Sequence, residues 1–187
     1  MSRWEPNAPA RLAQAAMELF AEAGYEETTV ARIAERAGLT ERTFFRHFAD
    51  KREVLFAGSS ELQALFVDTV ASAPASASPM QAVAAALEQA SGWFVDRRTY
   101  ARARQAVISS HPALTERELI KMARLATALA EALRERGVEE PAASLTAEAG
   151  VAVFRVAFER WTAPREKRPL DEIITEALGE LRTITSE

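Results

Sequence analysis

The 187-residue sequence has no cysteine, which excludes a disulfide framework, a thiolate zinc site and a cysteine nucleophile. It has only two histidines, His47 and His111, too far apart for a His-x-x-x-His metal pair on one helix. Glycine (7) and proline (8) are scarce while alanine, leucine, glutamate and arginine abound, a balance that favours helices. No apolar run approaches the roughly 18 residues of a membrane span. The opening MSRWEPNAPARL lacks the apolar core of a signal peptide, so the expected location is cytoplasmic, with no membrane partner. A Ser-His-Asp spacing, a phosphate-binding glycine loop and a metal cluster are all missing, and the expectation is a protein that is not an enzyme and uses no cofactor or metal. There is no excess of base either. With 23 Lys and Arg against 27 Asp and Glu, the net charge is −4, so any contact with nucleic acid has to come from a local patch.

What is present is hydrophobic periodicity of helical type in nearly every segment, in a chain that is 48% hydrophobic and 27% charged, the balance of a folded globular protein. Leu12, Ala15, Ala16, Leu19 and Phe20 make one apolar stripe, predicting a helix from about Pro9 to Ala23 that Gly24 stops. A short helix over Val30–Ala37, capped by Thr28 or Thr29, ends at Gly38. Thr40 caps another, Glu41–His47. Asp50, with Glu53 three residues on, opens a fourth predicted helix that runs to about Ser72. Residues 73–79, APASASP, form the clearest break. Helices are predicted beyond it over Met80–Asp96, Thr99–Ser109, Leu114–Arg136, Leu145–Thr162 and Leu170–Ile184. The fold class is all-α: an N-terminal three-helix head and a larger C-terminal helical body.

Residues 29–52 carry the strongest functional signal. Two short helices joined by a turn containing Gly38 make a helix-turn-helix pattern. Ala34 is small enough for a close helix crossing, Gly38 can adopt positive φ, and Phe44 points inward with Ile33, Leu39 and Phe48. The opposite face of the Glu41–His47 helix presents Glu41, Arg42, Phe45 and Arg46. The window holds six basic groups (Arg32, Arg36, Arg42, Arg46, Lys51, Arg52) and three acidic ones (Glu35, Glu41, Asp50), a local charge of +3 in a chain of −4. Such a helix suits a DNA major groove. Lys51 opposes the dipole of the helix it begins, a placement that a nearby phosphate would explain.

The run TTVARIAERAGLTERTFFRHFADKREVLF resembles the DNA-binding domain of the TetR (tetracycline repressor-like) family. Thr28, Thr29, Ile33, Ala34, Ala37, Gly38, Thr43, His47, Phe48, Lys51 and Leu55 match the family pattern, over about Arg11 to Phe56. The resemblance implies a helix-turn-helix DNA-binding domain over 9–56 and an effector-binding and dimerisation domain over 57–187. It implies a homodimeric, ligand-responsive regulator, expected to be a repressor, whose partners are a palindromic double-stranded DNA operator and a small-molecule effector. Thr29, Thr40, Arg42, Thr43, Phe45, Arg46, His47 and Lys51 are the expected DNA contacts. Two departures bear on this. Phe45 replaces a frequent tyrosine and loses its hydroxyl contact to the DNA backbone. Glu41 brings a carboxylate that would be repelled by phosphate unless it accepts from a cytosine amine or pairs with an arginine.

The body is less legible. Phe66, Trp93, Phe94, Tyr100, Met122, Phe154, Phe158 and Trp161 are candidate lining for an effector pocket, or core; they lean toward an apolar or aromatic ligand. Arg102, Arg104 or Arg155 could hold an anionic group, although a solvated arginine is the better reading of each. The last two helices are apolar on more than one side. Val153, Val156, Ala157, Ile174, Ala177, Leu178 and Leu181 are the expected dimer interface, which the resemblance implies to be a four-helix bundle. Two rival readings are a helical small-molecule-binding protein whose head no longer binds DNA specifically, and a hydrolase or isomerase acting in the body. For the second, the sequence supplies no acid–base pair.

Overall fold

The computed structural model describes residues 7–186, and among these it contains helices and no strand. In chain order they are α1 (Ala8–Ala23), α2 (Val30–Arg36), α3 (Glu41–His47), a 3-10 turn (Lys51–Phe56), α4 (Ser59–Ser72), α5 (Pro79–Trp93), α6 (Arg98–Ser109), α7 (Pro112–Glu135), α8 (Ala142–Thr162) and α9 (Leu170–Thr185). The chain divides into two compact units. The first holds the described residues up to Ser59 together with Ala103–Leu114; the second holds Ser60–Arg102 and the described part of the chain from Thr115 onward.

In the first unit, the predicted stripe of α1 is buried, with Ala13 and Met17 widening it. Gly24, at φ 83°, ends the helix and donates its N–H to the Phe20 carbonyl. Thr28 and Thr29 divide the capping roles. Thr29 Oγ1 accepts from the Arg32 amide at 3.3 Å, capping α2. Thr28 is buried and donates its hydroxyl to the carbonyls of Gly24 (2.8 Å) and Leu19 (3.3 Å), tying the α1–α2 connection to α1. Gly38 takes φ 64° in the turn, where any residue with a Cβ would be strained. Ile33, Ala34, Phe44 and Phe48 close the core as the pattern predicts. The later segment, Ala103–Leu114, is fastened to this unit by polar contacts. Arg104 Nε donates to the Leu55 carbonyl at 2.6 Å and its guanidinium lies over the Phe56 ring. His111 packs on Tyr25 at 4.8 Å between ring centroids, with Nε2 at 3.7 Å from Glu26 Oε1.

The fourth helix differs from the sequence expectation. Asp50 does act as a cap, accepting from the amides of Arg52 (2.8 Å) and Glu53 (3.1 Å), but the turns it opens are 3-10 and end at Phe56. Gly58, at φ 83°, then breaks the path, and α-helical geometry begins only at Ser59. A left-handed residue cannot lie inside a right-handed helix, so one predicted element becomes two.

In the second unit, α5, α8 and α9 pack against one another, and α7 adds Leu125, Leu129 and Leu133 to the same core. The α5–α8 crossing is close because Gly150 has no side chain; a Cβ there would run into Val83 Cγ1. A reciprocal cap starts α5: Ser78 Oγ accepts from the Gln81 amide, and Gln81 Oε1 accepts from the Ser78 amide. The 163–168 connection is held from α6. Arg98 donates to the carbonyls of Glu166 (3.0 Å) and Arg168, and Arg102 to those of Ala163 (2.8 Å) and Glu166 (2.7 Å). Of the residues that periodicity offers to a partner, Val153, Ala157, Ile174, Ala177 and Leu178 lie in the protomer's own core and Leu181 packs at its edge. Val156 is 46% exposed, and Leu145, one turn into α8, is 65% exposed.

Candidate nucleic-acid interface

The α3 helix has one inward and one outward face, set by its 3.6-residue period. Phe44 is fully buried and meets Phe48 at 5.4 Å between ring centroids. Phe45, the next residue, is 55% exposed and touches Phe44 edge-on at 5.5 Å. Glu41, Arg42, Arg46 and His47 are exposed beside it. Arg42 and Glu41 form no hydrogen bond or ion pair among the described residues, and Arg46 has only a long contact of 3.4 Å with His47 Nε2. Thr40 caps α3 by accepting from the Thr43 amide at 3.2 Å, and the two hydroxyls lie 3.0 Å apart. Thr40 stays exposed while Thr43 is half-buried. Thr29, exposed, stands at the first turn of α2.

The local charge of +3 is distributed unevenly. Arg36 is committed to α1: its guanidinium donates to both carboxylate oxygens of Glu22 (2.9 and 2.8 Å) and approaches Glu18 at 3.5 Å. The shared hydrogen bonds hold the Glu22 carboxyl below its usual range and push Arg36 further up. Arg52 closes on Asp50 at 2.6 Å, which lowers the Asp50 carboxyl. Arg42 and Arg46 therefore carry the uncommitted positive charge of α3.

Lys51 has an intramolecular role that its sequence position did not reveal. Its ammonium donates to the carbonyls of Tyr25 (2.7 Å) and Glu26 (3.3 Å) and lies over the Tyr25 ring at 4.2 Å. Those acceptors offset its unfavourable position at the start of the 3-10 turn. Sequence reasoning also missed Arg11. From α1 it donates to the Ala37 carbonyl at 2.5 Å, capping the C-terminus of α2 just where the turn begins. Cations are favoured at helix C-termini, but nothing in the sequence pairs residue 11 with residue 37.

The body residues named from sequence partly converge. Phe66, Phe94, Phe154, Phe158 and Trp161 form one ring cluster with successive centroids 5.0–6.1 Å apart. Phe66, Phe154 and Trp161 are buried, whereas Phe94 and Phe158 are half-buried. Trp93 stands apart under the Arg97 guanidinium at 4.9 Å, and Met122 packs at the edge of the core. Tyr100 is half-buried and outside the ring cluster. Arg102 and Arg104, candidates for an anionic group, serve the backbone carbonyls already described, and Arg155 is exposed. No group of three or more potential metal ligands occurs among the described residues, and no described helix is long and apolar enough to cross a membrane.

Comparison with known proteins agrees with this geometry. Residues 12–57 match the family model for bacterial regulatory proteins of the tetR family, and residues 77–185 match that of the MftR C-terminal domain. The HTH-type transcriptional regulator TcmR of Streptomyces glaucescens is 42% identical over 82 residues, 44% of this chain and 36% of that protein, so the similarity spans only about a third of the relative's length. Among solved structures, a TetR-family regulator from Syntrophomonas wolfei superposes with a TM-score of 0.69 at 16% identity, covering 96% of this chain and 95% of that one. The regulator FadR of Bacillus subtilis, solved with stearoyl-CoA, superposes with a TM-score of 0.62 at 19% identity over 92% and 96%. At these identities the superpositions speak for the fold; the two sequence models, which between them take in both the helix-turn-helix and most of the body, speak for descent. The chain belongs to the TetR family of transcriptional regulators and carries its DNA-binding helix-turn-helix.

Proposed function

We propose that the protein is a homodimeric, cytoplasmic repressor that binds a palindromic operator through α3 and is released by a small apolar effector bound in the body. The observation that carries the reading is the outward face of α3. Arg42, Phe45 and Arg46 are exposed, and the arginines have been left uncommitted while neighbouring cations are paired. In a major groove, Arg42 would donate to guanine O6 and N7, and the Phe45 ring would meet a thymine methyl in place of a hydroxyl contact to phosphate. Thr29, Thr40, Thr43, Arg46 and His47 would bind phosphate and sugar, fixing register without reading sequence. Lys51 retains a role toward phosphate through its positive charge while holding the α1–α2 connection.

One seven-residue helix contacts too little DNA for tight binding. Two heads about 34–36 Å apart supply the rest, which is the energetic reason for a dimer. Exposed apolar residues on α8 support that arrangement: Leu145, Ala152 and Val156 are exposed and recur at helical spacing. For the effector, the half-buried rings of Phe94 and Phe158 give an apolar molecule a way into the aromatic cluster. FadR, similar in fold, was solved with stearoyl-CoA, which makes long-chain acyl compounds the first class to test.

The test is fluorescence anisotropy with duplexes drawn from the DNA flanking the gene, titrated over a range of salt. A protein with this role selects one two-fold-symmetric site, with affinity falling steeply as salt rises, and releases it when the effector is added. Equal, weak affinity for all duplexes at low salt would refute it.

A further inference from the structure

We infer that Glu41 is a specificity-determining residue that selects a cytosine in each operator half-site. The inference rests on the proposed entry of α3 into the major groove. The carboxylate stands on the outward face of α3, exposed and, among the described residues, without a hydrogen bond or ion pair. Arg36 and Arg52 are committed to other carboxylates, to Glu22 and Glu18 and to Asp50 respectively, and the uncommitted Arg42 and Arg46 of the same helix make no ion pair with Glu41 among the described residues. Pairing with an arginine, one of two ways of tolerating an acid here, is therefore absent among the described residues. The α3 dipole favours an acid at this position, but that local gain is small and does not offset repulsion from two rows of phosphates.

The remaining way is a hydrogen bond from a base. An ionised carboxylate only accepts. In the major groove guanine presents N7 and O6 acceptors and thymine an O4 acceptor, so both repel it. Adenine offers its N6 amine, but with the N7 acceptor beside it. Cytosine offers the N4 amine with no adjacent acceptor, and is the one base edge that a carboxylate meets without a penalty. Phe45 lies four residues on, one turn along the same face, about 6 Å away by helical rise.

The test is binding-site selection from a random duplex pool by the full-length protein and by Glu41→Gln and Glu41→Ala. Circular dichroism first checks that the variants fold; Glu41 forms no hydrogen bond or ion pair among the described residues. The wild type is expected to recover a two-fold motif with a fixed C·G pair in each half. Glutamine donates to N7 and accepts from N6 of adenine, so Glu41→Gln is expected to convert that pair to A·T. Glu41→Ala is expected to leave it unspecified, with discrimination falling roughly tenfold, the low end of the cost of one mismatched pair. Identical motifs from all three proteins would overturn the inference while leaving the groove reading intact. No motif from the wild type would overturn the groove reading and the inference with it.

Discussion

At the residue scale, two side chains with opposite surroundings give opposite expectations. Arg42 is exposed and supports nothing in the fold. Replacing it with alanine is expected to leave the melting temperature unchanged and to weaken specific DNA binding by about 1–3 kcal/mol, measured by anisotropy against the selected site. Thr28 is buried and feeds two carbonyls of α1. Thr28→Val keeps the shape and removes the donor, so it is expected to cost about 1–3 kcal/mol of stability in a urea titration, because a buried acceptor is left without its partner. The two neighbouring threonines thus separate by environment: Thr29, exposed, is an N-cap, and Thr28 is a buried tie. Their adjacency in the chain offers no means of distinguishing them.

At the element scale, α5 and α8 approach closely at Gly150. Gly150→Ala would gain helix propensity, but its Cβ meets the β-branched Val83, which cannot swing aside. A net loss of about 1–3 kcal/mol is expected, read as a lowered thermal midpoint. A second element-scale expectation concerns the 163–168 connection. Hydrogen bonds from the Arg168 guanidinium and from the backbone amides of Arg168 and Lys167 hold the Glu166 carboxyl at about 2, well below its ordinary 4.5. A carboxyl lowered on folding stabilises the folded state above its ordinary pKa and loses that contribution as pH falls through the folded value. The thermal midpoint should therefore decline between about pH 4.5 and 2, and Glu166→Gln should make the decline shallower. Most element boundaries were legible in the sequence because caps and breakers are local: Pro9, Thr29, Thr40, Gly24 and Gly38 stand where the helices begin or stop. Other features were not legible, beyond the split of the fourth helix and the contacts of Lys51. The start of α8 at Ala142 is hidden because its first large apolar residue, Leu145, faces solvent. The pairings of Arg11 with residue 37 and Arg104 with residue 55 join positions far apart in the chain, which no periodicity encodes.

At the scale of the whole molecule, the proposed dimer and its release by ligand set the remaining expectations. Val156 is exposed in the single chain, so Val156→Asp is expected to leave the protomer folded and shift sedimentation from dimer to monomer. An unchanged dimer would place the interface elsewhere. Ile174, by contrast, is buried in the protomer, and a charge there would unfold the body before it reported on assembly. A 100-fold release from DNA requires the effector to favour the released state by roughly 2.7 kcal/mol, and by linkage the operator must weaken effector binding by the same factor. The break at Gly58 bears on how such a signal is carried. An unbroken helix from Asp50 to Ser72 would behave as a solid shaft, delivering at one end whatever torque is applied at the other. Two rods meeting at a left-handed glycine are not one shaft, so under the proposed mechanism the angle between them hangs on a single residue, and Gly58→Ala, which strains that residue, is expected to change how strongly ligand affects DNA binding.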